Sequence, residues 1–209
     1  MEEVSILSRK EREKLSRKKD IMDAAAFLFS VKGFDHTTLE EIAAKAEFGT
    51  GTIYNYFQSK EEIFRSIIES IFDANIQLIE TCSKSTTTFI DFLRLYTQRV
   101  FNYFSQNKEA LLILASIYIA VGEKAVKIKE EIIASRNCDM NDLILKKIKE
   151  GIKNKEIKKI NPEYLGFFYH SLLYPYITSL IKSDKLNESE INLHVDFILD
   201  VLFNGILIR

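Results

Sequence analysis

Helix breakers are scarce in this chain: two prolines and seven glycines in 209 residues. So few turn-formers exclude a fold of many short strands and point to long helices. Cysteine is limited to Cys82 and Cys138. Two isolated thiols without metal-ligand spacing read as buried small hydrophobes, with redox sensing as the alternative. No run of about 18 apolar residues occurs, so no membrane span is expected. The N-terminal MEEVSILSRKEREKLSRKK carries charges where a signal peptide needs an apolar core. The expected location is the cytoplasm, in association with the nucleoid. Three scattered histidines, no paired thiols and no glycine-rich phosphate loop give an enzyme nothing to work with. Neither cofactor nor metal is expected.

What is present is ample apolar and charged material, 46% and 28% of residues. The length suits one small domain and one medium one, each with a core. Formal charge is only −1, yet it is unevenly spread. Between Arg9 and Lys19 stand seven basic residues (Arg9, Lys10, Arg12, Lys14, Arg17, Lys18, Lys19) against Glu11 and Glu13. A local net charge of +5 on a near-neutral protein is either an electrostatic footprint for nucleic acid or a solvated helix start.

Capping boxes set the helix starts. Ser8-Arg9-Lys10-Glu11 opens a first helix, with Ile21, Ala25, Leu28 and Phe29 as its apolar stripe and Gly33 at its end. Thr38-Leu39-Glu40-Glu41 opens a short helix to about Ala46. Glu47-Phe48-Gly49 makes a tight turn, and a third helix spans about Thr50 to Phe57. Ser59-Lys60-Glu61-Glu62 starts a long helix to about Cys82. Further helices are expected near 87–105, 108–121, 123–153, 162–183 and 188–208. Asn107, Asn161 and Asn187 are the candidate N-caps, and Pro162 stands at a first helical position. Pro175 removes one helical hydrogen bond and should kink its helix.

Two short helices across a three-residue turn make a helix-turn-helix, placed at about Thr38–Phe57. In such a unit the second helix offers its first residues to the DNA major groove. Ile53 and Phe57 would anchor that helix. Thr50, Gly51, Thr52 and Asn55 are small or polar and suit base edges; Gly51 permits close backbone approach. Tyr54 and Tyr56 offer hydroxyls to phosphates, or are ordinary core aromatics. Lys60, at the start of the long helix, opposes the helix dipole, which an external phosphate would reverse.

From Lys18 to Phe64 the chain resembles the TetR family of repressors. The matching residues are Ile21-Met22-Asp23-Ala24-Ala25, Leu28-Phe29, Lys32-Gly33-Phe34, Thr37-Thr38-Leu39, Ile42-Ala43, Ala46, and the continuous stretch Gly51-Thr52-Ile53-Tyr54-Asn55-Tyr56-Phe57-Gln58-Ser59-Lys60-Glu61-Glu62-Ile63-Phe64. The resemblance implies an all-α homodimer: an N-terminal three-helix helix-turn-helix domain (1–62) plus a C-terminal helical bundle domain (63–209) for effector binding and dimerisation. It implies phosphate contacts by Thr38, Tyr54, Tyr56 and Lys60. Base contacts fall to Thr50 and Gly51, with Thr52 and Asn55 assisting. Three positions depart from the family pattern. Glu47 stands where glycine is common, Gly49 where a serine cap is common, and Thr50 where a cation is common. A recognition helix without Lys or Arg lacks the donors for bidentate guanine readout.

The last helix is apolar nearly all round and needs cover on more than one side. The dimer interface is therefore expected on helices near 162–183 and 188–208, as a four-helix bundle across a two-fold axis. Aromatic residues crowd the middle of the domain. A subset, Phe92, Tyr96, Tyr103, Tyr118 and Tyr174 with Arg99 and His170 as polar anchors, forms the candidate pocket for a small apolar or aromatic effector. The function expected is a ligand-responsive regulator, a repressor that binds double-stranded palindromic operator DNA and is released by its effector. The alternative is an adaptor of the same fold that has lost DNA binding and acts through protein contacts.

Overall fold

The computed structural model describes residues 8–118 and 123–205, with side chains at all of them except 116–118, 123–126, 129 and 133–141. Every regular element among these residues is helical. The α-helices are α1 (Arg9–Lys32), α2 (Leu39–Lys45), α3 (Thr50–Tyr54), α4 (Lys60–Ser85), α5 (Phe89–Gln106), α6 (Lys108–Tyr118), α7 (Glu123–Lys153), α8 (Pro162–Lys182) and α9 (Ile191–Asn204). None of the described helices is long and apolar enough to cross a membrane.

Caps decide where the first helices begin. Ser8 and Thr38 each form a complete capping box, with Glu11 and Glu41 returning a carboxylate to the cap N–H. At α4 the box is altered. Ser59 accepts from Glu62 N, but the Glu62 carboxylate accepts from Gln58 N at 2.6 Å. Asn161 caps α8 by accepting from Glu163 N and Tyr164 N, with Pro162 in the first turn. Asn107 does not act as the expected N-cap; its amide turns back to donate to Tyr103 O at 2.7 Å. Asn187 likewise makes no side-chain cap bond.

The helix ends show the consequence of scarce glycine. After α2, Glu47 N donates to Ala44 O and Phe48 N to Ala43 O, with Glu47 at φ 58°. The same pair of bonds closes α7 around Lys155 (φ 61°) and α8 around Asp184 (φ 53°). These are Schellman motifs, whose left-handed residue is ordinarily glycine. Here three helices end on a side chain in that strained conformation.

The N-terminal helices close on an aromatic knot. Phe29, Phe34 and Phe64 meet with ring centroids 5.4, 5.5 and 4.9 Å apart. Ile21, Ala25, Ile42, Ala43, Ile53 and Phe57 complete that core. Phe64 lies on α4, so the long helix is built into the N-terminal core by its first turns. It then packs along α5 and α7, while α1 also leans on α6. Gly151 of α7 lies against Phe89, whose Cβ would stand 2.8 Å from any Cβ added there; only glycine lets α7 come this close to α5.

Two helices are shorter than the sequence pattern suggests. α3 stops at Tyr54, with Asn55 as its C-cap, because Asn55 N and Tyr56 N bond three residues back, to Thr52 O and Ile53 O. The segment expected as 188–208 is a 3₁₀ turn at Glu188–Glu190 followed by α9, which Gly205 ends at φ 71°. Residues 206–208, and the expected end of α6 at 119–121, lie outside the described residues. α8 remains one helix through Pro175.

Candidate nucleic-acid interface

α3 is fixed from one side. Ile53 and Phe57 are fully buried, and Phe57 N donates to Ile53 O at 2.9 Å, locking the turn between them. The other side presents Gly51, Tyr54 and Asn55 as exposed residues, with Thr50, Thr52 and Tyr56 half-buried. Tyr54 is 48% exposed, which removes the core reading for it; Tyr56 packs partly against the core. A Cβ added at Gly51 would meet nothing within 4 Å. The chain's own packing therefore does not require glycine there. Gly49 caps α3 without a side-chain hydrogen bond, so the first N–H groups of the helix take no cap from its side chain.

Thr38 is exposed at the start of α2, its hydroxyl accepting from Glu41 N at 3.2 Å. Glu41 in turn accepts from Lys32 Nζ at 2.5 Å. That hydrogen bond, and the one from Thr38 N, hold its carboxyl below the usual carboxylate range. α1 and α2 are thus tied at the edge of the presented surface.

Lys60 has a structural task that its position in sequence did not reveal. Its ammonium donates to Phe34 O (2.9 Å), Asp35 O (3.2 Å) and Thr37 O (2.9 Å), and lies 4.7 Å from the Phe34 ring centroid. All three of its protons have carbonyl acceptors. The physical reason is local: the loop between α1 and α2 turns its carbonyls inward over Phe34, and a cation at the first position of α4 is the donor within reach.

The basic stretch is the exposed first half of α1. Arg9 pairs with Glu13 at 2.9 Å and Lys19 with Asp23 at 2.5 Å. Lys18 Nζ sits 5.3 Å from the Phe57 ring centroid. That contact puts the charged half of α1 beside the end of the α3 unit.

Of the residues expected to line an effector pocket, several come together. Tyr96 and Phe92 are buried and stacked, 5.9 Å between ring centroids. Tyr174 donates to Asn75 Oδ1 at 3.3 Å, as does Tyr96 at 3.4 Å. His170 lies beside Tyr174, 5.5 Å between rings. Tyr103 is half-buried against Phe104. Arg99 is not part of this group; it stays exposed on α5, where its guanidinium keeps its hydration. The side chain of Tyr118 lies outside the described residues. Asn75 is the central polar residue that sequence reasoning missed; a lone asparagine on an apolar helical stripe gives no signal of two phenols converging on it. Two surface grooves, of about 500 Å³ between α5 and α9 and about 360 Å³ along α7, include none of the expected residues. Among the described residues no cluster of three potential metal ligands occurs.

α8 and α9 leave large apolar side chains in solvent: Tyr164, Phe167 and Phe168 on the first, Leu193 and Phe197 on the second. These were among the aromatics and aliphatics expected to be covered. In the single chain they are not.

Residues 21–67 match the sequence model of the bacterial regulatory proteins of the tetR family. The chain is 27% identical over 182 residues, 82% of this chain and 86% of the other, to the HTH-type transcriptional regulator YhgD of Bacillus subtilis. It is 37% identical over 62 residues, 30% of this chain and 34% of the other, to the biofilm operon icaADBC negative transcriptional regulator IcaR of Staphylococcus epidermidis. Its fold is similar to that of the transcriptional regulator FadR from Bacillus subtilis, solved in complex with stearoyl-CoA. The TM-score is 0.76 and the identity 20%, over 90% of this chain and 99% of that one.

Proposed function

Because this chain belongs to the tetR family of bacterial regulatory proteins, we propose that it represses transcription as a homodimer, each subunit laying α3 into the major groove of a palindromic operator. The observation that carries this reading is the two-sidedness of α3. Ile53 and Phe57 anchor one side, and the other is a patch of small and polar groups with an unfilled space over Gly51. Thr50 and Gly51, helped by Thr52 and Asn55, face base edges; Thr38, Tyr54 and Tyr56 donate hydroxyls to phosphates. Lys60, engaged by three carbonyls, holds the α1–α2 loop that carries Thr38 and adds its charge to the phosphate side. The negative regulator IcaR, similar in this region, supports repression as the direction of control.

With no cation on α3, phosphate attraction comes from the exposed half of α1. The exposed faces of α8 and α9 pair across a two-fold axis, burying Phe167, Phe168, Leu193 and Phe197 in a four-helix bundle. Half-sites one helical turn apart demand recognition helices about 34–36 Å apart. An apolar effector in the domain built on α4–α9 prefers a conformation in which α4 moves this spacing out of register. It acts only by its differential affinity for the two conformations.

A fluorescence-anisotropy titration of full-length protein on a palindromic operator, at several salt concentrations, tests the reading. Salt-dependent binding with two subunits per operator is expected, weakened at least ten-fold by Tyr54→Ala. Absence of binding at low salt would leave the adaptor reading in its place.

A further inference from the structure

The C-terminal end of α7 and the loop after it carry a second concentration of positive charge. From Asp142 to Lys159 seven lysines stand against Asp142, Glu150 and Glu156, a local net charge of +4 on a chain of −1 overall. Two of the three acids are spent inside the fold. Glu150 pairs with Lys147 at 3.0 Å. Glu156 accepts from Phe89 N at 2.5 Å and from Asn154 Nδ2 at 3.3 Å, which ties the loop to the start of α5. Lys147 also lies over the Phe92 ring, 5.7 Å from its centroid. The other six, Lys146, Lys149, Lys153, Lys155, Lys158 and Lys159, are exposed, and among the described residues none has a carboxylate partner. Lys146, Lys149 and Lys153 line the surface groove along α7 and share one helical face. A face kept only for solubility interleaves both signs; this one accumulates repulsion that a polyanion would relieve.

This charge is not placed to serve the operator. Arg65, at the root of α4, pairs with Glu131 of α7 at 2.5 Å. From Glu131 the helix runs on to Lys153, about 33 Å at 1.5 Å per residue. Gly151 there packs on Phe89, beyond the far end of α4. Electrostatic screening in the cell acts over about 8 Å, so DNA lying against α3 does not feel these lysines.

The patch offers charge without an apolar anchor. Between Asp142 and Ile160 no large apolar side chain is exposed; Ile144 and Ile148 are buried, and Leu145, Ile152, Ile157 and Ile160 are half-buried. An acidic protein would draw its affinity from a buried apolar or aromatic centre. A lipid surface would take up an exposed apolar helix face. A nucleic-acid duplex needs neither, because neutralised phosphates release counterions. We propose that this surface is a second binding site for double-stranded DNA of any sequence, holding a duplex segment at the end of the molecule away from α3. The lysines meet phosphates as hydrated point charges and read no base. In the operator-bound homodimer, on which this consequence rests, the patch occurs twice, and one dimer bridges its operator to another stretch of duplex.

The test loads full-length protein on an immobilised operator and measures capture of a fluorescent duplex of about 30 bp and unrelated sequence. Capture is expected at about 50 mM salt and should fall about 40-fold by about 200 mM, the value for three neutralised phosphates. Lys149→Glu, Lys153→Glu and Lys158→Glu together should reduce capture at least ten-fold and leave operator affinity within two-fold of wild type. Glutamine at the same three positions, which removes charge without reversing it, should give an intermediate loss. Phosphatidylserine vesicles are offered in place of the second duplex. No capture by wild type, equal capture by the triple variant, vesicles held as well as duplex, or operator affinity lost along with capture overturns the proposal. If wild type does not bind the operator, the unrelated duplex is titrated directly against wild type and the glutamate variant. A ten-fold difference then keeps the patch and counts against the operator reading alone, whereas equal affinities overturn the patch.

Discussion

Single residues set both strain and pH response here. Glu47, Lys155 and Asp184 each occupy a left-handed position that glycine fills at lower cost. Replacing Lys155 by glycine should raise stability by about 1 kcal/mol in chemical denaturation. Glu47→Gly should do the same and also strengthen operator binding, because it removes an anion beside α3. Equal operator affinity in the two variants would show that the Glu47 charge lies beyond the reach of DNA. Lys60→Met should destabilise the protein by about 2–3 kcal/mol, since it strips the donor from three carbonyls. A wild-type unfolding midpoint in that variant would contradict the bracing role. His170 gives a pH signature. Its folded-state value is depressed to about 4 from an ordinary 6.5, so the unfolded chain takes up a proton first as pH falls. The stability it allows is fully present above about pH 6.5 and declines toward pH 4, by about 2–3 kcal/mol in all. Denaturation midpoints of wild type and His170→Phe, measured from pH 7 to pH 4, should diverge over that window.

In the proposed complex with DNA, α1 and α3 divide the work. α3 has five residues and no Lys or Arg; it supplies shape and hydrogen bonds. α1 supplies charge through its exposed first half, and Lys18 against Phe57 fixes that half next to α3. Deleting residues 1–16 should weaken operator binding and flatten its salt dependence, because fewer counterions are released. An unchanged salt slope would remove α1 from the interface. α4 joins this region to the rest. Phe64 belongs to the N-terminal aromatic knot, and Asn75, 11 positions further along the same helix, is the acceptor for Tyr96 and Tyr174. One rigid rod thus touches both the aromatic residues expected to line an effector pocket and the frame of α3.

At the scale of the whole molecule, the single chain leaves an apolar face open. Phe167 is 75% exposed and Leu193 67%, an arrangement that soluble monomers avoid in contiguous patches. In the proposed dimer a second copy covers this face as a bundle core. Phe167→Glu combined with Leu193→Asp should therefore convert a dimer to a monomer in analytical ultracentrifugation and weaken operator binding by at least ten-fold, since two half-sites are then read independently. A double variant that stays dimeric would place the interface elsewhere.

Much of this was legible in the sequence because it is local. Capping boxes at Ser8 and Thr38, the stripe Ile21-Ala25-Leu28-Phe29, and Ile53 and Phe57 as the anchors of α3 each depend on residues within two or three turns of one another. What the sequence alone could not reveal depends on partners far apart along the chain. Lys60 reaches back 23 to 26 residues for its carbonyls, and Tyr174 is 99 residues from Asn75. Arg99, placed by pattern among aromatic turns, stays in water because hydration outweighs what the core offers it. α3 stops three residues early because its last N–H groups close shorter turns. Local hydrogen bonds and periodicity are written in adjacent residues, and so the chain alone determined most of its helix starts and the anchoring of α3 by Ile53 and Phe57. Desolvation and long-range pairing exist only once the helices are packed, and so tertiary structure alone decided which polar groups are held and which stay exposed.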